Sequence, residues 1–163
     1  MMRRAIIILV LTICLLGGMS SGAEDKTPVS APDIFALSAT PLNDAPEFSE
    51  LSGQITLLIL FQPHCAWCPL QFRAADELKR TRANWLQIAA VSRQGSIPQL
   101  LHELDRYGVD FPAYQSSEAL LEALKYTPGT PCIYLIAADG HLGQYTCGRK
   151  TPDELVKFLM GKL

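Results

Sequence analysis

The chain has 163 residues, which is long enough for one domain with a sizeable hydrophobic core. Its 14 basic and 16 acidic residues give a formal net charge of −2, and the basic residues form no long run. The composition therefore gives no indication of binding to nucleic acid or to an anionic membrane surface.

The N-terminus has the three parts of a secretory signal peptide. Arg3 and Arg4 precede an apolar run over residues 5–16, and small residues at positions 21 and 23 fit a cleavage site. We therefore expect residues 1–23 to be a cleaved signal peptide and residues 24–31 to be a flexible lead-in, with the mature protein in the periplasm or another extracytoplasmic space. An uncleaved N-terminal membrane anchor is the alternative, although the apolar run is short for a membrane span.

Apolar periodicity predicts alternating strands and helices over residues 32–163. Strands are predicted at 34–37, 55–61, 85–91, 109–114, 132–137 and 142–147, helices at about 70–84, 96–108, 117–126 and 151–159, and turns over 38–46. Asp139 and Gly140 mark a hairpin turn between the last two strands. This pattern predicts a single-domain α/β fold with a mixed central sheet flanked by helices.

Cys65 and Cys68 are spaced C-x-x-C between a buried strand and a helix. A helix N-terminus stabilises a thiolate, so Cys65 is predicted to have a lowered pKa and to be the catalytic nucleophile. Cys68, about one helical turn further on, is predicted to attack the mixed disulfide that forms at Cys65 and to release the partner. A pair of metal ligands or of inert core thiols is the alternative for this spacing.

Two residues beside the cysteines are further candidates for the site. A protonated imidazole at His64 would lower the pKa of Cys65, or else His64 is an exposed loop residue with little effect. Trp67, between the two cysteines, is predicted to form part of a docking surface for substrate. Its alternative role is to cover the start of the helix.

Cys132 and Cys147 flank the predicted hairpin turn. If Ala138 faces His141 across that turn, the two cysteines lie directly opposite each other, whereas a bulge would break this register. Opposed cysteines in a non-hydrogen-bonded pair can approach disulfide distance, so a second disulfide is predicted here. Two independent buried thiols, or an electron relay between Cys132 and the C-x-x-C pair, are the alternatives.

Four stretches make the chain resemble the thioredoxin superfamily, and within it the exported branch of TlpA-like thiol–disulfide oxidoreductases. The stretches are residues 31–37, 48–54, 65–68 and 129–131, the last followed by the hairpin and Gly148. The resemblance covers roughly residues 31–163. It implies a thioredoxin-like fold and a redox-active site that needs no cofactor and no metal. It also implies protein thiols or disulfides as substrates and a membrane electron donor as a further partner, and we expect the protein to be a monomer.

The resemblance also assigns a role to Thr130 and Pro131. In the superfamily, the proline at this position follows a cis peptide bond and faces the two cysteines. Thr130 would then offer its backbone to a segment of the substrate beside Cys65. An ordinary trans proline at the start of a strand is the alternative.

Three features depart from the superfamily pattern. The usual tryptophan before the active site is absent, and residues 62–64 are Gln, Pro and His instead. The central strand over 55–61 contains no acid to accept a proton from Cys68, which would then need water or another base. Pro69 follows Cys68 directly, which a helix tolerates in its first turn.

These patterns together predict an extracytoplasmic protein-disulfide oxidoreductase, and the resemblance to the TlpA-like branch implies that it acts more often as a reductant. An oxidase or isomerase on the same fold is the nearest variant. A soft-metal protein is the second alternative. In that case His64, Cys65 and Cys68, with Cys132 nearby, would hold an ion such as Cu(I).

Overall fold

The structure is a computed structural model that describes residues 31–108, 110–125 and 129–161. The expected signal peptide, all but one residue of the expected lead-in, and Tyr126 at the expected end of a helix lie outside these residues. Within the described part of the chain, no helix combines the length and apolar character that crossing a membrane requires.

A mixed six-stranded sheet lies at the centre of the described residues. Its strands are β1 (Ala39–Pro41), β2 (Thr56–Phe61), β3 (Gln87–Ser92), β4 (Ala113–Ser116), β5 (Cys132–Ile136) and β6 (Leu142–Cys147), in the spatial order β1-β4-β3-β2-β5-β6. The described helices are α1 (Cys68–Thr81), α2 (Ile97–Tyr107), α3 (Glu118–Ala123) and α4 (Pro152–Leu159), with short 3-10 helices at Ile34–Ala36 and Phe48–Leu51. β3 runs parallel to β2 and β4, and the other pairs are antiparallel. The predicted α/β fold with a mixed central sheet is confirmed.

The sheet separates two hydrophobic clusters, one on each face. Leu57, Ile59 and Phe61 of β2 join the cluster formed with α1, α2 and α4. Leu58 and Leu60 join the cluster formed with α3 and the N-terminal segment. Because successive side chains of a strand point to opposite faces, β2 is buried along its whole length, as its apolar sequence predicts.

The N-terminal segment differs from its prediction. Residues 34–37, predicted as a strand, instead contain the first 3-10 helix, because the Asp33 side chain accepts a hydrogen bond from the Phe35 N–H at 2.9 Å. The strand of this region is β1, which lies inside the stretch predicted as turns over 38–46. β1 is the last strand on one edge of the sheet, where Pro41 is tolerated at its end.

Helix α2 begins and ends where the sequence predicts. Ser96 and Gln99 form a reciprocal capping box at its start, and Gly108 ends it with a left-handed φ of 65°. The buried face of α2 includes Glu103, which is only 4% exposed. A carboxylate on an apolar helix face is unusual, and this one contacts the loop that follows β2.

Candidate active site

Cys65 and Cys68 form a disulfide at the N-terminus of α1. β2 ends at Phe61, a loop follows over residues 62–67, and Cys68 is the first residue of the helix. The Cα atoms of the two cysteines are 5.4 Å apart. Cys65 is 8% exposed and Cys68 is fully buried, so solvent reaches only the first of them. The positive end of the helix dipole favours a thiolate at this position.

The start of α1 accommodates both Trp67 and Pro69. Pro69 lies in the first turn, where its missing N–H leaves no intrahelical hydrogen bond unmade. The Gln71 N–H donates to the Trp67 carbonyl oxygen at 3.0 Å, and the Trp67 side chain is more than half exposed. An exposed indole directly beside the accessible cysteine is available to a binding partner.

His64 lies in the loop directly before Cys65, and a buried carboxylate holds its backbone. The His64 N–H donates to Glu103 Oε1 at 3.3 Å, which supports a left-handed φ of 61° that residues other than glycine rarely adopt. The imidazole is 87% exposed, and its Nδ1 lies 4.0 Å from the same oxygen. A protonated His64 would therefore form an ion pair with Glu103 at the edge of the site.

Glu103 is absent from the predicted site residues. It lies among Leu100, Leu104 and Tyr107 on the buried face of α2, and Arg106 Nη1 donates to its two carboxylate oxygens at 3.2 and 3.1 Å. Burial and the Glu103 carboxylate together raise the pKa of Tyr107. The sequence feature that could have identified Glu103 is an acid at an apolar position of an amphipathic helix. Although β2 carries no acid, α2 brings one to the loop before the cysteines.

Replacing Glu103 with glutamine is expected to lower the pKa of the Cys65 thiol in the reduced protein. The substitution keeps the shape of the side chain and removes a negative charge that disfavours a nearby thiolate. Thiolate absorbance in the ultraviolet, followed against pH, measures this shift. Asp105→Asn, on the exposed face of the same helix, is the matched control. Equal shifts in the two variants would show that Glu103 has no specific effect on Cys65.

The peptide bond between Thr130 and Pro131 is cis. Cys132 pairs with Leu60 of β2, so Pro131 lies beside the end of β2, at the edge of the sheet from which the C-x-x-C loop emerges. Pro131 is buried, and its carbonyl oxygen accepts a hydrogen bond from the Gly148 N–H at 2.9 Å. The fold therefore places the cis proline and the cysteine loop at the same edge.

Cys132 and Cys147 are joined by a second disulfide, between β5 and β6. The two residues are direct partners in the strand register, with their Cα atoms 4.0 Å apart. The turn is not the one assumed from the sequence, because the Ala137 N–H, rather than Ala138, pairs with His141 at 2.9 Å. A bulge follows one residue pair further along the hairpin and adds one residue to β6. This extra residue restores the register in which the two cysteines face each other.

The two disulfides lie on opposite faces of the sheet. Cys65 and Cys68 belong to the cluster beneath α1, whereas Cys132 belongs to the cluster on the other face. The sheet thus separates Cys132 from the C-x-x-C pair, so the direct relay considered from the sequence is wrong. The metal site that included Cys132 is wrong for the same reason. Among the described residues, no group of three or more His, Cys, Asp or Glu side chains is arranged to hold a metal ion.

The strand order, the C-x-x-C disulfide at the start of α1 and the cis proline beside it define the thioredoxin fold. Solved structures with this fold are similar to the chain over most of their length. DsbF from MTB, in its mixed oxidised and reduced forms, has a TM-score of 0.66 and 17% identity, covering 82% of this chain and 100% of its own. A secreted Mycobacterium tuberculosis disulfide oxidoreductase, homologous to E. coli DsbE, has a TM-score of 0.65 and 16% identity, with coverages of 80% and 99%.

A thiol-disulfide isomerase from Corynebacterium glutamicum has a TM-score of 0.60 and 20% identity, with coverages of 82% of this chain and 96% of its own. No family model and no curated protein sequence matches the chain. At these identities the similarity establishes the thioredoxin fold.

Proposed function

We propose that the protein is a thiol–disulfide oxidoreductase that exchanges disulfides with partner proteins through Cys65 and Cys68. The observation that carries this proposal is the position of the pair: an accessible sulfur and a buried one at a helix N-terminus, at the same sheet edge as a cis proline. The names of the similar solved structures, among them disulfide oxidoreductases and an isomerase, support the same activity.

The two cysteines divide the reaction between them. In the reducing direction, the Cys65 thiolate attacks one sulfur of the partner's disulfide, a Cys65–partner disulfide forms, and the partner's other sulfur leaves as a thiolate. The Cys68 thiolate then attacks the Cys65 sulfur and expels the second partner thiolate. The partner gains two electrons, and the Cys65–Cys68 disulfide is restored.

The partner is proposed to dock between Trp67 and the loop that contains Thr130 and Pro131. Trp67 supplies exposed apolar area beside the nucleophile, as aromatic residues commonly do at protein interfaces. Thr130 is half-buried and directly precedes the cis proline, and we propose that its backbone pairs with an extended segment of the partner.

The surroundings of Cys65 favour a role as a reductant. Glu103 brings a buried negative charge to the loop before Cys65, and this charge disfavours the thiolate form of the reduced site. A less stable reduced form gives a lower reduction potential, because the site then donates its electrons more readily. A protonated His64 acts in the opposite direction by favouring the thiolate, so the exposed imidazole tunes this balance.

We infer an extracytoplasmic location, with residues 1–23 as the signal peptide or, alternatively, as a membrane anchor, and residues 32–163 as the thioredoxin-like domain. The basic and apolar pattern of residues 1–23 supports this location, and a protein with two disulfides suits an oxidising compartment. A monomer that receives electrons from a membrane donor, as in the TlpA-like branch, fits these features.

The reduction potential of the Cys65–Cys68 pair tests the proposal. The protein is equilibrated in dithiothreitol or glutathione buffers, trapped by alkylation and mapped by mass for each cysteine. A potential near or below about −250 mV, in the range of thioredoxin, is expected for a reductant. A value above about −180 mV would instead identify an oxidase or isomerase. A pair that does not titrate as a dithiol would contradict the proposed activity.

A further inference from the structure

The Cys132–Cys147 disulfide is part of the framework that holds Pro131. The Pro131 carbonyl oxygen accepts a hydrogen bond from Gly148, the residue after Cys147, while the covalent bridge begins at the residue after Pro131. Cys132 Sγ also lies 3.2 Å from the Gly129 carbonyl oxygen, at the other end of the same short loop. The loop over residues 129–131 thus lies against the Cys132 sulfur at one end and is hydrogen-bonded at the other end to the residue that follows Cys147.

The two cysteines of this bridge differ in exposure. Cys132 is fully buried, whereas Cys147 is exposed at the end of β6. A thiolate that attacks a disulfide sulfur approaches in line with the S–S bond, from the side opposite the leaving sulfur. For Cys147 that side lies beyond β6, which is the last strand on its edge of the described sheet. The geometry therefore selects Cys147 as the sulfur that an external thiolate attacks.

The charge around Cys147 favours the same reaction. Lys150 Nζ donates to the Cys147 carbonyl oxygen at 2.8 Å and to the Gly148 carbonyl oxygen at 3.2 Å, and Arg149 next to it is exposed. Cations beside an exposed cysteine attract an incoming thiolate and stabilise the cysteine as a thiolate after it is released. Reactive cysteines are found in surroundings of this kind, whereas inert structural ones are buried.

We propose that Cys132–Cys147 is a second thiol–disulfide exchange site, opened at Cys147 by an external dithiol. One thiolate of the dithiol bonds to Cys147 Sγ, and Cys132 leaves as a thiolate that takes up a proton. The second thiolate of the dithiol then closes the reductant's own disulfide and expels the Cys147 thiolate. Two electrons pass to the hairpin, and the reductant is oxidised by two electrons. The Gly129 carbonyl oxygen, which lies 3.2 Å from the Cys132 sulfur in the disulfide form, is an acceptor for the thiol that is released.

The redox state of this second site sets how firmly the loop before Cys132 is held. In the disulfide form the loop is fixed next to the end of β2, and a partner binds without having to order it. In the dithiol form the hydrogen bond from Gly148 remains, but the covalent constraint is lost, so partner binding weakens. This consequence rests on the proposed function, because it concerns the partner of Cys65.

Alkylation mapping of a Cys65→Ser/Cys68→Ser variant of the full chain tests the second site alone, with dithiothreitol as the dithiol. We expect labelling of Cys132 and Cys147 in the folded protein, with unchanged circular dichroism. Lys150→Met should slow that labelling by on the order of twofold to fivefold, and Lys157→Met, an exposed lysine on α4, should leave it unchanged. Labelling that requires denaturant, or equal rates in the two lysine variants, overturns the proposal.

A second measurement addresses the coupling to docking, with insulin as the disulfide probe. Cys132→Ala/Cys147→Ala is expected to raise the KM for insulin by roughly threefold to tenfold, with kcat and the potential of the Cys65–Cys68 pair unchanged. An unchanged KM overturns the coupling. Failure of the parent protein to reduce insulin would contradict the proposed function instead. In that case the labelling of Cys147 still decides whether the second site takes part in thiol–disulfide exchange.

Discussion

Replacing Cys65 with serine is expected to reduce disulfide exchange by roughly a thousandfold or more, because a serine hydroxyl is a far weaker nucleophile than a thiolate at neutral pH. Replacing Cys68 with serine is expected to stop turnover at a different point. The attack by Cys65 still occurs, but no second sulfur is present to release the partner, so a covalent complex accumulates.

The two variants serve as controls for each other. Insulin reduction in the presence of dithiothreitol measures turnover, and non-reducing electrophoresis with mass mapping detects the trapped complex and identifies its cysteine. The assignment predicts a complex at Cys65 in Cys68→Ser and none in Cys65→Ser. A complex trapped at Cys68 in the Cys65→Ser variant would reverse the roles of the two cysteines, which the burial of Cys68 argues against.

Replacing Phe72 with alanine is expected to destabilise the protein by about 3–5 kcal/mol. The Phe72 ring is fully buried one turn after Cys68, and its centroid lies 5.6 Å from that of Phe61, 4.8 Å from that of Tyr107 and 6.0 Å from that of Phe111. Its removal leaves a cavity at the junction of β2, α1 and α2, where the neighbouring rings, held by β2, α2 and the loop before β4, cannot collapse to fill it.

Denaturant unfolding, with both disulfides intact, measures this loss of stability. Leu70→Ala is the matched control, because Leu70 lies two residues earlier on the same helix and is 39% exposed. The control is expected to lose less than about 1 kcal/mol. Similar losses in the two variants would mean that the aromatic cluster does not support the start of α1.

The central strand and the helix ends are predictable from the sequence because their signals are local. The apolar run of β2 requires cover on both faces, and Ser96 and Gly108 mark the limits of α2 by the conformations that they favour. The position of the C-x-x-C pair between strand and helix follows directly, so the centre of the candidate site is already visible in the sequence.

The parts that the sequence did not predict depend on contacts between distant residues. β1 is three residues long, ends in a proline, and forms by pairing with β4, more than 70 positions away in the chain. Glu103 is 39 positions from His64, so its contact with the loop before Cys65 arises only when α2 packs on the sheet. The pairing of Cys132 with Cys147 was predicted on an incorrect turn, and the bulge in β6 compensated for that difference.

The central sheet separates the two disulfides, so each face of the sheet carries its own cysteine pair. If the proposed exchange at Cys132–Cys147 takes place, the protein has four covalent forms, where a protein with one C-x-x-C pair has two. Because the two pairs belong to different hydrophobic clusters of the described residues, we expect each to be reduced or oxidised in its own encounter with another molecule. The proportions of the four forms would then depend on which thiols and disulfides react with each cysteine pair.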